Sequence, residues 1–557
     1  MAFGFFMTPI LTRELLGVLR TPRALAVQVI LAFAFALIVL LRWPTDARVD
    51  LSGAASIQVF QLFGYGLLTA VLLLVPVFPA TSIVRERKQG TLSLLMNTPL
   101  SAFSIYTGKL LGVLGFVGLL LMLSLPAAAA CHAMGGITLV GHILPLYGIL
   151  ALAAIQYSVV GLLVSTRAAT TDSALRVTYG CVLALAVFAM GPHMFTQGQE
   201  GSHADYSEWL RCCSPIPGIM QLLGQGDIGG QGLINASNLA QRYAIIAAVS
   251  SLALAIWTIS QLNHTLFDRA RAQGEITDDQ GTGKKVFRRL MYLVDPQRRS
   301  GGIPWYVNPV MVKEFRCRPF GRSHWMLRLI SVCAMLSLGL TYATTTSTVD
   351  WGVETIGGIL VILQVALIVL LTPSLASGLI SSERESGGWD LLRTTPLSTG
   401  RILRGKLLSV VWTLMLILLA TLPGYVVMVW IKPAMEPQVR RVLICLLSTA
   451  GFALLLSAAV GSLFRRTAAA TTAAYCALIS IFAGTLLFWL GRDAPFGRST
   501  VEAALTLNPL AAALAVVKAP GFESYDLIPG NWWAMGIMSA VSAFVLVGQT
   551  WRLTRPS

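Results

Sequence analysis

The sequence predicts an all-α integral membrane protein of about twelve transmembrane helices. They form two parallel six-helix repeats, each with an N-terminal interfacial helix. Three observations lead there. Apolar residues make up 55% of the 557-residue chain and charged residues 12%, too few charges for a water-facing surface. The apolar residues fall in uncharged runs such as Ala24–Leu41, Ile356–Ile380 and Val442–Leu463, and about 18 such residues suffice to span a bilayer as a helix. Finally, one polar segment occurs twice. Residues 85–111 and 382–408 share 14 identities over 27 positions at a constant offset of 297, the signature of an internal repeat.

Each repeat opens on a capping residue followed by proline, Thr8-Pro9 before Ile10–Leu15 and Asn308-Pro309 before Val310–Phe315. That pair starts a helix, because proline presets φ and lacks an N–H that would be unpaired there anyway. In the first copy Leu11, Leu15, Val18 and Leu19 share a face away from Arg13 and Arg20, as in a helix lying in the membrane interface. The spans expected to follow are 24–41, 57–84, 105–131, 137–164, 173–195 and 241–262, then 325–343, 354–381, 403–431, 438–464, 467–490 and 532–551. No short apolar region with a small-residue cleavage site precedes the first span, so it is expected to be retained. A second echo, Thr166–Thr171 against Thr467–Thr472, falls between the fourth and fifth spans of each half. Ser214-Pro215 and Asn508-Pro509 each introduce an apolar stretch too short to cross, as in a re-entrant or surface helix.

The domains expected are a first half over 1–262, a basic cytoplasmic linker over 263–307, and a second half over 308–557. The linker carries Lys284-Lys285, Arg288-Arg289 and Arg298-Arg299, a composition suited to anionic lipid. With the N-terminus inside, 31 of the 41 basic residues but 12 of the 25 acidic ones fall on the inner side. That is the positive-inside asymmetry of a multi-pass plasma (inner) membrane protein with both termini cytoplasmic. Lys432, Arg440 and Arg441 dissent, on the outer side. The excess of basic charge therefore needs no nucleic-acid partner.

The duplicated segment lies between the second and third spans of each half. Gly90 and Gly387 break the helix leaving the membrane. Leu94-Leu95 and Leu391-Leu392 give the next short stretch an apolar patch, and Pro99 and Pro396 end it. Lys109 and Lys406 stand early in the following span, where a long side chain snorkels to the headgroups. These are the expected membrane-interface anchors. Glu86-Arg87 and Glu383-Arg384 frame the whole segment.

This segment resembles the first cytoplasmic loop of ABC-2-type ABC transporter permeases: an acidic-basic pair, Gly-Thr, apolar residues, Pro, Ser and Gly-Lys. The first copy matches through Glu86, Arg87, Gly90, Thr91, Leu94, Pro99, Ser101, Gly108 and Lys109. The second matches through Glu383, Arg384, Gly387, Leu391, Leu392, Pro396, Ser398, Gly405 and Lys406, but has Gly388 where threonine is expected. The resemblance implies two six-span permease halves fused in tandem, acting as an exporter. It also implies that the short helices couple to two separate ATP-binding subunits, with ATP and Mg bound there and no cofactor on this chain.

No complete nucleotide-binding loop is present. Gly400–Lys406 has the spacing of one, but Leu407 follows where Ser or Thr must reach magnesium. The chain is therefore expected not to be an enzyme, with no catalytic residue and no metal site. Rival readings are an ATPase-linked complex doing assembly or mechanical work, an ion-coupled secondary transporter, and a membrane enzyme using His132, His142, His193 or His203. The deep interior of the spans lacks the ionisable groups an ion-coupled carrier needs. Gln58, Gln61, Gln156 and Gln364 suit interhelical hydrogen bonds better than ligand contacts. No cysteine spacing suggests zinc, and a disulfide of Cys212 or Cys213 has no nameable partner.

Overall fold

A computed structural model describes residues 9–19, 22–40, 54–168, 170–186, 188–196, 202–223, 238–262, 307–317, 331, 334–335, 337–339, 352–490 and 497–554. Every regular element among the described residues is a helix. Among the described residues, ten helices are long and apolar enough to cross a membrane, or eleven if the pair Arg498–Thr506 and Pro509–Val517, bent by 109°, is one span. The expected number was twelve. The first predicted span, 24–41, falls on the 19-residue helix Pro22–Leu40. The seventh, 325–343, lies mostly outside the described residues, and so does the proposed linker 263–307 except for its last residue.

The chain divides into two compact units, Met1–Gln273 with Leu487–Val501, and Gly274–Leu486 with Glu502–Ser557. In each, an opening helix begins at the predicted proline, Pro9–Leu19 in the first and Pro309–Cys317 in the second. The second span is a broken helix, Ala54–Leu74 then Val77–Lys88, and Val353–Ala376 then Gly378–Glu385. At 1.5 Å per residue, the 32 residues of Ser56–Arg87 reach about 48 Å. A hydrocarbon core is about 30 Å thick, so the charged end of this helix stands clear of it. A tyrosine from the fifth span seals the region of the break. The Tyr179 hydroxyl donates to the Leu73 carbonyl at 2.6 Å, and Tyr475 does the same to Leu370. The Leu73 carbonyl lies in the last turn of Ala54–Leu74, where a helix leaves acceptors unpaired.

The third span is the long helix Ala102–Ala133 or Thr399–Ile431, and each tolerates an internal proline, Pro126 or Pro423. The fourth is Leu144–Arg167 or Glu436–Ser462. It presses on the break in the second span through a glycine. A Cβ on Gly161 would lie 2.8 Å from Pro79 Cγ, and one on Gly461 would lie 2.6 Å from Ser377 Cα. Phe60, Phe63, Leu67, Leu146, Leu150 and Tyr157 form the core of the first unit. Leu375, Leu379, Val410, Leu414 and Leu454 form a buried cluster around the break in the second span of the second unit. Among the glutamines, Gln156 accepts from Tyr243 at 3.1 Å and Gln61 donates to the Leu223 carbonyl at 2.9 Å. Gln364 is fully buried with neither amide atom bonded.

The short apolar stretches after Ser214 and Asn508 are helices starting at the predicted caps. Ser214 Oγ accepts from Ile216 N ahead of Pro215–Leu222, and Asn508 Oδ1 accepts from Leu510 N ahead of Pro509–Val517. Both helices bury most of their length. The echo Thr166–Thr171 against Thr467–Thr472 is out of structural register. Thr166 belongs to the end of the fourth span, whereas Thr467 opens the fifth, as Thr171 does in the first unit. Composition alone had aligned two threonine-alanine runs that do different jobs.

Candidate functional site

The duplicated segment folds into the same joint in both units. Gly90 and Gly387 adopt φ of 72° and 74°, a left-handed conformation that glycine takes without steric cost. The chain thereby turns from the end of the second span into a six-residue helix, Thr91–Met96 or Gly388–Arg393. Ser101 and Ser398 sit at the N-cap of the long helix that follows, and Ser101 Oγ accepts from Ser104 N at 3.2 Å. Pro99 and Pro396 are exposed on the turn between the two helices.

The two leucines predicted as one patch separate, because successive helical residues point about 100° apart. Leu95 is buried with Leu92 against Ile10, Ile83, Ile105 and Tyr106, while Leu94 is 68% exposed. In the second copy Trp389 is buried and donates to the Leu553 carbonyl at 3.1 Å, and Leu391 is 73% exposed. Thr91 donates to the Glu86 carbonyl at 3.2 Å. At Gly388, where threonine was expected, a Cβ would overlap the Glu383 carboxylate. The departure from the pattern therefore makes room for a charge.

Lys109 and Lys406 do not reach outward as headgroup anchors; each is enclosed, with a side chain 1% exposed. Lys109 Nζ lies 3.1 Å from Glu14, 2.9 Å from Glu86 and 3.1 Å from Ser82 Oγ. Lys406 Nζ lies 2.6 Å from Glu314 and 3.2 Å from Glu383. A second cation completes each cluster, Arg13 on Glu86 and Lys313 on Glu383. Sequence reading missed Arg13-Glu14 and Lys313-Glu314 as members, although the pair recurs in the two helix openings. A buried ammonium needs carboxylates, since an unpaired ion away from water costs several kcal/mol.

This requirement turns the opening helix. Its buried face carries Ile10 and Glu14, with Leu15 partly buried, and it packs on the third span. A Cβ on Gly112 would lie 2.9 Å from Glu14 Cβ. The helix was expected to lie in the interface on its leucine stripe; it is instead bolted to its own bundle.

The arginines after the glutamates face the other way. Arg87 donates to the carbonyls of Thr166, at 3.3 Å, and Ala168. Arg384 donates to those of Ser462 and Phe464, both at 3.4 Å. These carbonyls end the fourth span, where the helix leaves acceptors unpaired and a cation is favoured. Each short helix thus hangs from two polar joints, a glutamate to the opening helix and third span, and an arginine to the fourth span.

Burial pushes the Glu14 carboxyl up, but Lys109 and Arg13 outweigh burial and hold it below the usual carboxylate range. A carboxylate held low by folding stabilises above its unfolded value and loses that contribution as pH falls through the folded one. The melting temperature should therefore drop as pH goes below about 4.5. Glu14→Gln should start lower at neutral pH and fall less. Parallel pH profiles for the two proteins would remove Glu14 from the cluster's energetics.

Two of the histidines are held by neighbouring polar groups. Arg211 donates to His193 Nε2 at 2.7 Å, and His132 Nδ1 lies 2.6 Å from the Ile137 carbonyl. Among the described residues, no group of three or more His, Cys, Asp or Glu is placed to hold a metal. Cys212 and Cys213 are free thiols. Lys432, one of the dissenting outer cations, pairs with Glu354 at 2.7 Å.

No curated protein matches the chain. A family model described as ABC-2 family transporter protein matches residues 16–188, a stretch that includes Glu86, Arg87, the helix Thr91–Met96 and Lys109. The chain is thus a multi-pass helical membrane protein whose residues 16–188 are similar to the ABC-2 family transporter model.

Proposed function

We propose that this chain is the membrane permease of an ABC transporter and works as an exporter. Two six-span halves are fused in tandem, joined by the basic linker 263–307, which contacts anionic lipid on the cytoplasmic side. Two separate ATP-binding subunits dock on the short helices Thr91–Met96 and Gly388–Arg393, and ATP and Mg bind on those subunits. The carrying observation is the duplicated joint: an exposed leucine on a short helix whose leading end is fastened to different spans by Glu86 and Arg87, or Glu383 and Arg384. A push on that helix is transmitted because both fastenings are ionic or charge-assisted contacts at least partly shielded from water. Motion then takes the form of a bistable bundle biased by differential contacts from outside.

The roles within the motif divide accordingly. Leu94, Thr91, Pro99, Leu391 and Pro396 are exposed and supply the docking surface. Glu86, Arg87, Glu383 and Arg384 are joints behind it, and Gly90 and Gly387 set its angle. Charge reversal at Glu86 or Glu383 would break the fold's own ion clusters, so these residues are poor probes of docking. Leu94→Glu with Leu391→Glu is the better probe. Loss of two central apolar contacts should weaken retention of a co-purifying ATP-binding subunit by about thirtyfold or more, with the chain's melting temperature unchanged. Full retention by the double variant would refute the docking surface.

A further inference from the structure

The outer loop whose charges ran against the predicted orientation borders a cavity. Lys406 stands near the start of Thr399–Ile431, and the next span, Glu436–Ser462, begins after a short turn. Arg441 therefore lies at the opposite end of the second unit from the ion cluster. There a cavity of about 550 Å³ is lined by Arg441 and Lys518, by Glu523 and Asp526, and by the rings of Tyr525 and Trp532. Its apolar part comes from the helix Pro509–Val517 and from Leu527 and Ile528.

Three features separate this cavity from an ordinary wet surface. Two other cations near span ends are paired, Lys432 with Glu354 and Arg242 with Glu208, at 2.7 and 2.6 Å. The four charges at the cavity form no ion pair among the described residues, although two cations and two acids share one concavity. Lys518 is the one non-glycine residue with positive φ, 58°, among the described residues. It holds a helix C-cap that glycine normally fills, and it lines the cavity from there. Lastly, Arg441 lies in the second turn of the helix Glu436–Ser462 and Trp532 in the first turn of Gly530–Thr554, near the depth at which headgroups meet protein.

We propose that this cavity binds a phosphoethanolamine group. The phosphate is held by Arg441 and Lys518, with guanidinium geometry suited to two phosphate oxygens. The primary ammonium is held by Glu523 and Asp526, with Tyr525 and Trp532 offering aromatic faces. A simple anion would meet two carboxylates, and a simple cation would meet Arg441 and Lys518; a zwitterion satisfies both pairs. The volume lies within the range of small-molecule sites. The group comes either from phosphatidylethanolamine in the adjacent leaflet or from a soluble phosphoethanolamine ester. The proposal is independent of ATPase docking.

Native mass spectrometry of the full chain in detergent tests it, with added phosphatidylethanolamine, phosphatidylglycerol or glycerophosphoethanolamine. The wild type should retain phosphatidylethanolamine over phosphatidylglycerol. Arg441→Glu with Lys518→Glu, and separately Glu523→Gln with Asp526→Asn, should each cut that retention about tenfold or more. All four residues are exposed, so the melting temperature should hold and report intact folding. Displacement of the lipid by excess glycerophosphoethanolamine assigns the soluble source, and resistance to it assigns the lipid. Equal retention by wild type and both variants overturns the site. Equal retention of phosphatidylglycerol, insensitive to the acid-neutralising variant, overturns the zwitterion.

Discussion

Lys406→Met is expected to destabilise the second unit by about 3–5 kcal/mol, the cost of breaking a buried ion pair by removing one partner. The side chains of Lys406 and Glu314 are 1% and 3% exposed. Removing the ammonium takes from the buried Glu314 its ion pair at 2.6 Å, while Glu383 keeps Lys313 at 2.7 Å. The lost attraction matters less than a buried carboxylate deprived of that ammonium, so Lys406→Met with Glu314→Gln should recover a large part of the loss. Lys109→Met should cost less. Glu14 is 18% exposed and Glu86 retains Arg13, so water and a second cation compensate. Thermal unfolding in detergent, read as an order of the three variants, is the check. A Lys406→Met protein as stable as wild type would mean that Glu314 is not buried as a charge.

Gly461→Ala is expected to separate the fourth span of the second unit from the break in the second. The new Cβ would lie 2.6 Å from Ser377 Cα and would overlap the Ser377 carbonyl. A backbone cannot swing aside as a side-chain tip does, so the helices must part. The hydrogen bond between Ser377 Oγ and Thr471 Oγ1, 3.0 Å long, loosens with them. Overpacking of this kind costs about 1–3 kcal/mol, and valine at the same position should cost more. Gly451 provides the control in the same helix, since nothing lies within 4 Å of a Cβ there. Gly451→Ala should be neutral or stabilising by roughly 0.5–1 kcal/mol. Equal melting temperatures for Gly461→Ala and Gly451→Ala would contradict this close approach.

Much of the fold was legible in the chain itself. Uncharged runs longer than a bilayer's thickness have few alternatives to a helix. The caps before Pro9, Pro215, Pro309 and Pro509, and the left-handed glycines at 90 and 387, follow from backbone chemistry that acts over two or three residues. The slipped echo at Thr166 and Thr467 shows that local composition gives no register across spans.

The candidate site was legible as residues and not as a mechanism. Periodicity put Lys109 and Lys406 at the headgroups, because a lone lysine near a span end snorkels when nothing nearby carries the opposite charge. Their partners, Glu14 and Glu314, lie 95 and 92 residues away, and no local rule connects such distances. The same ambiguity affected Leu94 and Leu95, adjacent in sequence and opposite in exposure.

The sequence by itself determined a membrane-spanning helical chain, its breaks and caps, and the doubled motif, since each depends on transfer energy or on the conformations open to a few neighbouring residues. Tertiary structure alone decided which charges are buried, which leucine faces out, and which carbonyls Arg87 and Arg384 satisfy. Those depend on which helices lie side by side, and in a low-dielectric interior a neighbour's charge outweighs any intrinsic preference.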